Sequence, residues 1–376
     1  MAKTLEVAIA AGGTAGHINP ALALAEEMTK RGHHVTFYGQ TQKLEGTLVP
    51  QAGFDFASIS VTGFDRARPW TLVTALRKMR AAKRVLARKF AAEGAPSVAV
   101  GFGAYVEMPL LEWCRKNDVP YVIHEQNSVP GLANKTSARG AMSVCVSFPG
   151  ALTAFEDRIG PKTSLVVTGN PVRKSVVQAS RKKGRQAFGV GEDETMVLVF
   201  GGSLGARHLN EAVLRMGPDL LSRPNLRVIH STGKELFDEV TQGLCVPEDQ
   251  RDRWKVMPYI DNMGEALAAA DLVVSRAGAS SIAEIAALAV PSVLVPYPLA
   301  TADHQTTNAR YLVDAGAARL VPDDQLDGDA LANAVFELVD DAERRQGMRQ
   351  AAKSLAQDQA ASVLANQVEA VASAGR

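Results

Sequence analysis

Short apolar runs alternate with helical patterns along almost the whole chain, and this constrains the fold more than any other feature. The runs at 5–11 (LEVAIAA), 34–39 (HVTFYG), 97–101 (SVAVG), 121–125 (YVIHE) and 143–147 (SVCVS) are continuous rather than alternating in hydrophobicity. Those at 196–202 (MVLVFGG), 226–233 (LRVIHSTG), 271–278 (DLVVSRAG) and 292–298 (SVLVPYP) repeat the pattern in the second half. A strand that is apolar on both faces is buried on both faces. Strand–helix alternation therefore predicts parallel sheets covered by helices on each side. The layout is duplicated: Gly12-Gly13 ends a strand and opens a helix, and Gly201-Gly202 does so again. The expected architecture is α/β, with two Rossmann-like parallel-sheet domains at 1–165 and 170–350. The join falls within LVVTGNPVRKS (165–175). The Ala-rich tail, 351–376, reads as a helix that packs back on the first domain.

At 376 residues the chain is long for one core, which agrees with two domains. A net charge of +1 gives no sign of a nucleic-acid binder. Cys114, Cys145 and Cys245 are far apart, which argues against zinc and against a disulfide framework and fits a reducing cytoplasm. The N-terminal apolar run is too short for a signal peptide, and no stretch is long enough to span a membrane.

Three strand ends carry glycine-rich loops: AGGTAGH (11–17), GFGAY (101–105) and GGSLGAR (201–207). Glycine lets backbone N–H groups approach an anion, and the helix that follows presents its positive end. One such loop is weak evidence, since glycine is the default turn residue, but three point to a phosphorylated ligand. A dinucleotide fold wants an acidic residue at the end of its second strand. Here that strand ends in Gly39-Gln40 and no acid follows until Glu45, which disfavours NAD. A Walker P-loop is absent.

Polar residues cluster at the same strand ends. Asn19 reads as an N-cap and Pro20 as the first helical residue, which sets His17 just ahead of the helix's positive end. That field disfavours imidazolium. His17 is then either a neutral general base or a histidine that bonds only its own turn. HEQN (124–127) reads as ligand contacts or as loop polarity around a structural histidine. Glu284 stands in Ser281-x-x-Glu284, a capping box, and the box alone favours a capping role over a carboxylate that holds ribose hydroxyls. Asp303, His304, Gln305 and Asn308 suit sugar hydroxyls or a helix start rich in capping residues.

Residues 70–90 (WTLVTALRKMRAAKRVLARKF) form a basic amphipathic segment. Leu72, Leu76, Met79, Leu86 and Phe90 share one face, interrupted by Lys83, and Arg77, Arg80, Arg84 and Arg88 line its flank. The commoner reading is a helix packed on the sheet with a solvated basic rim. The alternative is a patch on anionic lipid, with Trp70 and Phe90 at the interface.

Taken together, GGTAGHINP, GFGAYVEMP, HEQNSVPGLANK, GNPVR, GGSLGARHLN, SRAGASSIAEIAALAVP and DHQTTNA span positions 12 to 309. In type and order they resemble the peptidoglycan N-acetylglucosaminyltransferases of the MurG type. That resemblance implies a GT-B fold, two Rossmann-like domains facing a deep cleft. It implies inverting transfer of GlcNAc from UDP-GlcNAc to the C4 hydroxyl of MurNAc in lipid I, giving lipid II. It implies His17 as the catalytic base. Thr14, Gly16, Asn127, Arg173, Ser203, Glu284, His304 and Gln305 would meet the donor. This turns Glu284 from cap to ribose ligand. The loops of Gly12, Gly13, Gly101 and Gly103, with Tyr105, would take the acceptor diphosphate. Trp70, Leu76, Met79, Arg80, Arg84, Arg88 and Phe90 would form a patch on an anionic membrane surface at the cytoplasmic face. The resemblance implies no cofactor, no essential metal and no nucleic acid, but does imply cell-wall synthesis and division proteins as partners. Ala15, Ala104 and Glu107 depart from the family pattern. An alanine methyl would narrow the acceptor's approach, and Glu107 would add a negative charge beside it. Rival readings are a UDP-GlcNAc 2-epimerase, another GT-B lipid glycosyltransferase, and a non-catalytic scaffold that binds nucleotide-sugar.

Overall fold

The computed structural model describes residues 3–63, 70–202 and 205–375. The chain divides into two compact units, Met1–Arg173 with Gln359–Arg376, and Lys174–Asp358. The return to the first unit thus comes at Gln359, later than the 351 expected from composition, because a further helix, Ala342–Lys353, still belongs to the second unit.

The first unit is built on a seven-stranded, wholly parallel sheet. Its strands in chain order are β1 (Glu6–Ala10), β2 (His34–Gly39), β3 (Asp55–Ser58), β4 (Val98–Gly101), β5 (Tyr121–Glu125), β6 (Ser143–Val146) and β7 (Ser164–Val167). In space they run β3-β2-β1-β4-β5-β6-β7. Ile9 of β1 is in register with Phe37 on one side and Val100 on the other. The two faces of β1 follow the period of two. Val7 and Ile9 pack into a core with Ile18, Leu22 and Met28 of helix Ala15–Lys30 and with Leu364 and Val368 of helix Ala360–Ala374. Ala8 and Ala10 face the opposite core, made by Ala82, Leu86 and Phe90 of helix Thr71–Glu93 and by Leu110 and Leu111 of helix Glu107–Lys116. Each face is thus sealed by helices, as continuous apolar strands require.

The last helix is also fastened by polar contacts. Arg31, the C-cap of the first helix, donates to Asn366 Oδ1 at 2.7 Å, Glu369 Oε2 at 2.8 Å and Ser362 Oγ at 2.8 Å. His33 Nε2 lies 3.0 Å from Glu369 Oε1.

The second unit holds a six-stranded parallel sheet: β8 (Thr195–Phe200), β9 (Leu226–Ser231), β10 (Trp254–Met257), β11 (Leu272–Ser275), β12 (Ser292–Leu294) and β13 (Ala318–Leu320). Their order is β10-β9-β8-β11-β12-β13. Each sheet reverses its order of growth once, between β1 and β4 in the first unit and between β8 and β11 in the second. Ligands of open α/β sheets bind outside the carboxyl ends of the strands at such a switch point. The loops Gly12–Gly13 and Gly101–Gly103 flank the first switch, and Gly201–Gly202 and Arg276–Gly278 flank the second.

Among the described residues no helix is long and apolar enough to cross a membrane.

Candidate active site

At the switch of the first unit the helix begins earlier than its sequence suggests. It runs Ala15–Lys30 with Thr14 as N-cap, and Pro20 lies inside it. Asn19 is therefore not the cap, and His17 sits within the first turn rather than ahead of it. Thr14 makes no side-chain bond to the helix amides. Its Oγ1 lies 2.9 Å from His17 Nδ1 instead, so the capping residue orients the imidazole. The loop after β4 comes close. A Cβ added to Gly103 would lie 3.3 Å from His17 Cδ2 and 3.4 Å from Asn134 Nδ2, so any side chain there would crowd both groups. Ala104, next along, holds φ at 63°, a left-handed value that an alanine adopts at a cost of about 1 kcal/mol. Tyr105 is 42% exposed.

Beneath each loop of this edge lies a buried carboxyl that no motif announced as such. Glu45 is fully buried. It accepts from Gly13 N–H through Oε2 at 3.1 Å and from Gln40 N–H through Oε1 at 3.2 Å. A Cβ on Gly12 would fall 2.5 Å from Oε1, so only glycine permits this approach. The residue taken from sequence as too late to hold a ribose is spent on the first glycine loop. Glu107 is also fully buried; its Oε2 accepts from Gly103 N–H at 2.6 Å and its Oε1 from Ser137 Oγ at 3.2 Å. The carboxyl expected to add a negative charge beside the acceptor is thus sealed beneath the loop. Glu125 accepts from Asn127 N–H at 3.0 Å, from Gly131 N–H at 3.0 Å and from Asn134 Nδ2 at 2.9 Å.

Of HEQN, only Asn127 reaches the surface in part; His124, Glu125 and Gln126 are buried. His124 Nε2 donates to Gly169 O at 2.9 Å, and Gln126 Nε2 donates to His124 O at 3.0 Å. Burial pushes the His124 ring down to about 4, so it is neutral at pH 7. These residues hold β5 to the turn after β7, and their polarity serves the fold's interior. Arg173 Nε donates to Glu26 Oε1 on the first helix at 2.9 Å.

In the second unit, Gly202 takes φ of 93° after β8, and Ser203 lies outside the described residues. Helix Ala279–Ala287 follows β11 with Gly278 as its N-cap. Ser281 is therefore inside the helix, and Ser281-x-x-Glu284 is not a capping box. Glu284 stands in the second turn, half-buried. Its charge, after burial and Asp261, contributes to a raised Tyr259 hydroxyl. Gln305, at the start of helix His304–Val313, accepts through Oε1 from Ala277 N–H at 3.1 Å and Tyr297 N–H at 2.9 Å. With the oxygen so engaged, the amide nitrogen is the part of Gln305 that can donate to a ligand. Asn308 is buried, with Nδ2 bonded to Ala277 O at 3.3 Å. His304 Nδ1 donates to Thr301 O at 2.8 Å, which fixes its tautomer.

Arg276 went without a role in the sequence and is held firmly here. It is buried after β11 and bonds Pro296 O at 3.0 Å and the Asp323 carboxylate, which His208 also meets at 2.8 Å. Asp327 and Asp329 form an Asp-x-Asp spacing, but Asp327 is engaged by His208 and Arg215.

The basic segment is a single helix, Thr71–Glu93, and its apolar face divides. Phe90 and Leu86 belong to the core; the Phe90 ring lies 4.5 Å from Trp113 and 5.6 Å from Tyr38. Phe90 is therefore unavailable to a membrane. Trp70 is 70% exposed, Val73 53% and Leu76 47%, while Met79 is half-buried. Lys83 pairs with Glu112 at 2.9 Å and Lys89 with Glu93. Among the described residues Arg77, Lys78, Arg80, Arg84 and Arg88 have no acidic partner.

The chain matches the glycosyltransferase family 28 N-terminal domain over residues 7–146 and the C-terminal domain of the same family over residues 196–367. It is 38% identical to the UDP-N-acetylglucosamine--N-acetylmuramyl-(pentapeptide) pyrophosphoryl-undecaprenol N-acetylglucosamine transferase of Halothermothrix orenii, covering 97% of this chain and 98% of that one. The crystal structure of Acinetobacter baumannii MurG superposes with a TM-score of 0.73 at 27% identity, over 98% of this chain and 100% of that one. A putative UDP-N-acetylglucosamine 2-epimerase from Listeria monocytogenes shares the fold, with a TM-score of 0.67, at 14% identity over 96% of this chain and 94% of that one. Two parallel Rossmann-like sheets, both family 28 domains, and 38% identity over nearly the full length of a MurG-type relative place the chain in glycosyltransferase family 28, as a member of the MurG type with the GT-B fold.

Proposed function

We propose that the chain transfers GlcNAc from UDP-GlcNAc to the C4 hydroxyl of MurNAc in lipid I, inverting the anomeric centre and yielding lipid II. The observation that carries this reading is the 38% identity, over nearly the full length of both chains, to a relative named for that transfer.

In this reading the two edges divide the labour. On the first unit His17 takes the proton of the acceptor hydroxyl. Thr14 Oγ1 lies 2.9 Å from Nδ1 and holds the ring; with Nδ1–H donating to that hydroxyl, Nε2 is the basic nitrogen. Gly16 and Asn127 line the same edge, where Thr14, Gly16 and Asn127 complete the donor's sugar contacts. The loops of Gly12 and Gly13 and of Gly101, Gly103 and Tyr105 receive the acceptor diphosphate. Because Glu45 and Glu107 already take the Gly13 and Gly103 amides, that diphosphate would use other donors of these loops. On the second unit Glu284 takes the ribose hydroxyls, and the Gln305 amide nitrogen and His304 meet the GlcNAc. The Gly201–Gly202 loop and Ser203 take the pyrophosphate, and Arg173 neutralises charge beside the nucleotide. The acceptor oxygen then attacks C1 from the face opposite UDP through an oxocarbenium-like state, and the C1–O bond to UDP breaks as the new one forms.

The exposed apolar start of helix Thr71–Glu93 and its arginines, which have no acidic partner among the described residues, support a reading in which the protein binds an anionic bilayer peripherally, at the cytoplasmic face, with cell-wall synthesis and division proteins as its neighbours. The test is transfer of labelled sugar to a lipid I analogue, with UDP-GlcNAc alone as control. Label on the lipid supports the reading; UDP-ManNAc formed from the donor alone would replace it with the epimerase.

A further inference from the structure

Glu107 is unusual among the buried carboxyls of the first edge. It is fully buried at the start of helix Glu107–Lys116, and a Cβ on Gly101 would fall 2.5 Å from its Oε2, so the carboxyl fills the space that glycine leaves under the loop. Its donors are the Gly103 amide at 2.6 Å and the Ser137 hydroxyl at 3.2 Å, and among the described residues neither partner is a cation. The titratable groups around it give no counter-charge either. Glu125 of β5 is an acid, Tyr121 of the same strand is neutral, and His17 of the first helix faces Gly103 from the other side. A buried carboxylate without a cation is costly, and the neutral acid is the cheaper form.

We propose that Glu107 is a positioning residue whose protonation state sets how readily the loop after β4 admits an anionic acceptor. As a neutral acid it braces Gly103 without charge. Ionised, it places a buried negative charge behind the loop whose remaining donors the acceptor diphosphate approaches. The proposal rests on the assignment of this loop to the acceptor. Burial pushes the Glu107 carboxyl up to about 8, against the pull of the Gly103 and Ser137 hydrogen bonds and with Glu125 adding to the rise. The acid is therefore neutral below pH 8 and ionises above it, so acceptor binding weakens as pH rises through that value. If only the neutral form admits the diphosphate, acceptor KM rises about tenfold per pH unit beyond the transition.

The experiment measures acceptor KM, donor KM and kcat from pH 6.5 to 9.5 for the wild type, Glu107→Gln and Ser137→Ala, alongside infrared spectra of the wild type minus Glu107→Gln. Glutamine keeps an acceptor for Gly103 and offers a donor to Ser137, so it mimics the neutral acid. The expected results are an acceptor KM that rises above pH 8 in the wild type, a flat profile in Glu107→Gln, and an unchanged donor KM in both. In Ser137→Ala the rise moves to higher pH, because a donor to the ionised form is lost. A protonated-carboxyl band should disappear over the same interval. Parallel profiles in wild type and Glu107→Gln, or no such band, overturn the proposal. A band that titrates in an enzyme that binds UDP-GlcNAc yet transfers to no lipid at any pH overturns the acceptor reading, and this proposal with it.

Discussion

Glu45→Gln tests whether the first glycine loop is held by a buried carboxylate. In the wild type the two oxygens accept from Gly13 and Gln40 at 3.1 and 3.2 Å, and the side chain has no solvent exposure. Glutamine can serve only one of these amides; its NH2 then faces the other donor. One buried N–H left without an acceptor costs about 1–3 kcal/mol, and Glu45→Ala, which strands both, should cost roughly twice as much. For a unit of this size each kcal/mol lowers the melting temperature by about 2–4 °C. Scanning calorimetry that follows the two units separately should show the loss in the first unit's transition alone. Amide exchange at Gly13 and Gln40 should quicken in step. Gly12→Ala attacks the same contact from the other side, because its methyl would fall 2.5 Å from Glu45 Oε1. The double variant should therefore lose less than the sum of the singles. A Glu45→Gln protein within about 0.5 kcal/mol of wild type, with Gly13 exchange unchanged, would refute the reasoning.

Two further predictions follow from the same geometry. Burial holds His124 of the first unit and His230 of the second down at about 4, so the unfolded chain binds more protons than the folded one between roughly pH 6.5 and 4. Stability should fall as pH drops through that window, by up to about 3 kcal/mol per histidine, and His124→Gln should flatten the slope of the first unit's transition and leave the second's intact; equal slopes in both proteins would contradict this. Replacing Arg80, Arg84 and Arg88 together with Gln should weaken binding to anionic vesicles by about 1 kcal/mol per residue, read by vesicle sedimentation; unchanged binding would leave these arginines as a solvated rim.

The central strands of both sheets were legible because burial on two faces leaves an uninterrupted apolar run. The strands that went unread, β3 (DFAS), β10 (WKVM) and β13 (ARL), are all sheet edges, half-exposed and short. Capping rules misplaced two helices. Asn19-Pro20 has the form of a helix start, yet Thr14 opens the helix and Pro20 is carried within it. Ser281-x-x-Glu284 has the form of a box, yet Gly278 is the cap. In the basic helix, periodicity put Leu72 and Phe90 on one stripe correctly. It could not say that only the later turns of this helix enter the core, so that Phe90 is buried and Leu72 is not. For His124, Glu125 and Gln126 the sequence leaves ligand contacts and loop polarity around a structural histidine both open, since polar side chains are seldom buried. Their partners, Gly131, Asn134 and Gly169, lie in separate loops that sequence spacing does not connect.

The decisive measurement is transfer of labelled GlcNAc from UDP-GlcNAc to a lipid I analogue by the wild type and by His17→Ala. The predicted result is an inverted, acceptor-dependent disaccharide lipid from the wild type, formed about 10²–10⁴ times more slowly by the variant, with UDP binding retained. Turnover of the donor without an acceptor, or a His17→Ala enzyme as fast as the wild type, would contradict it.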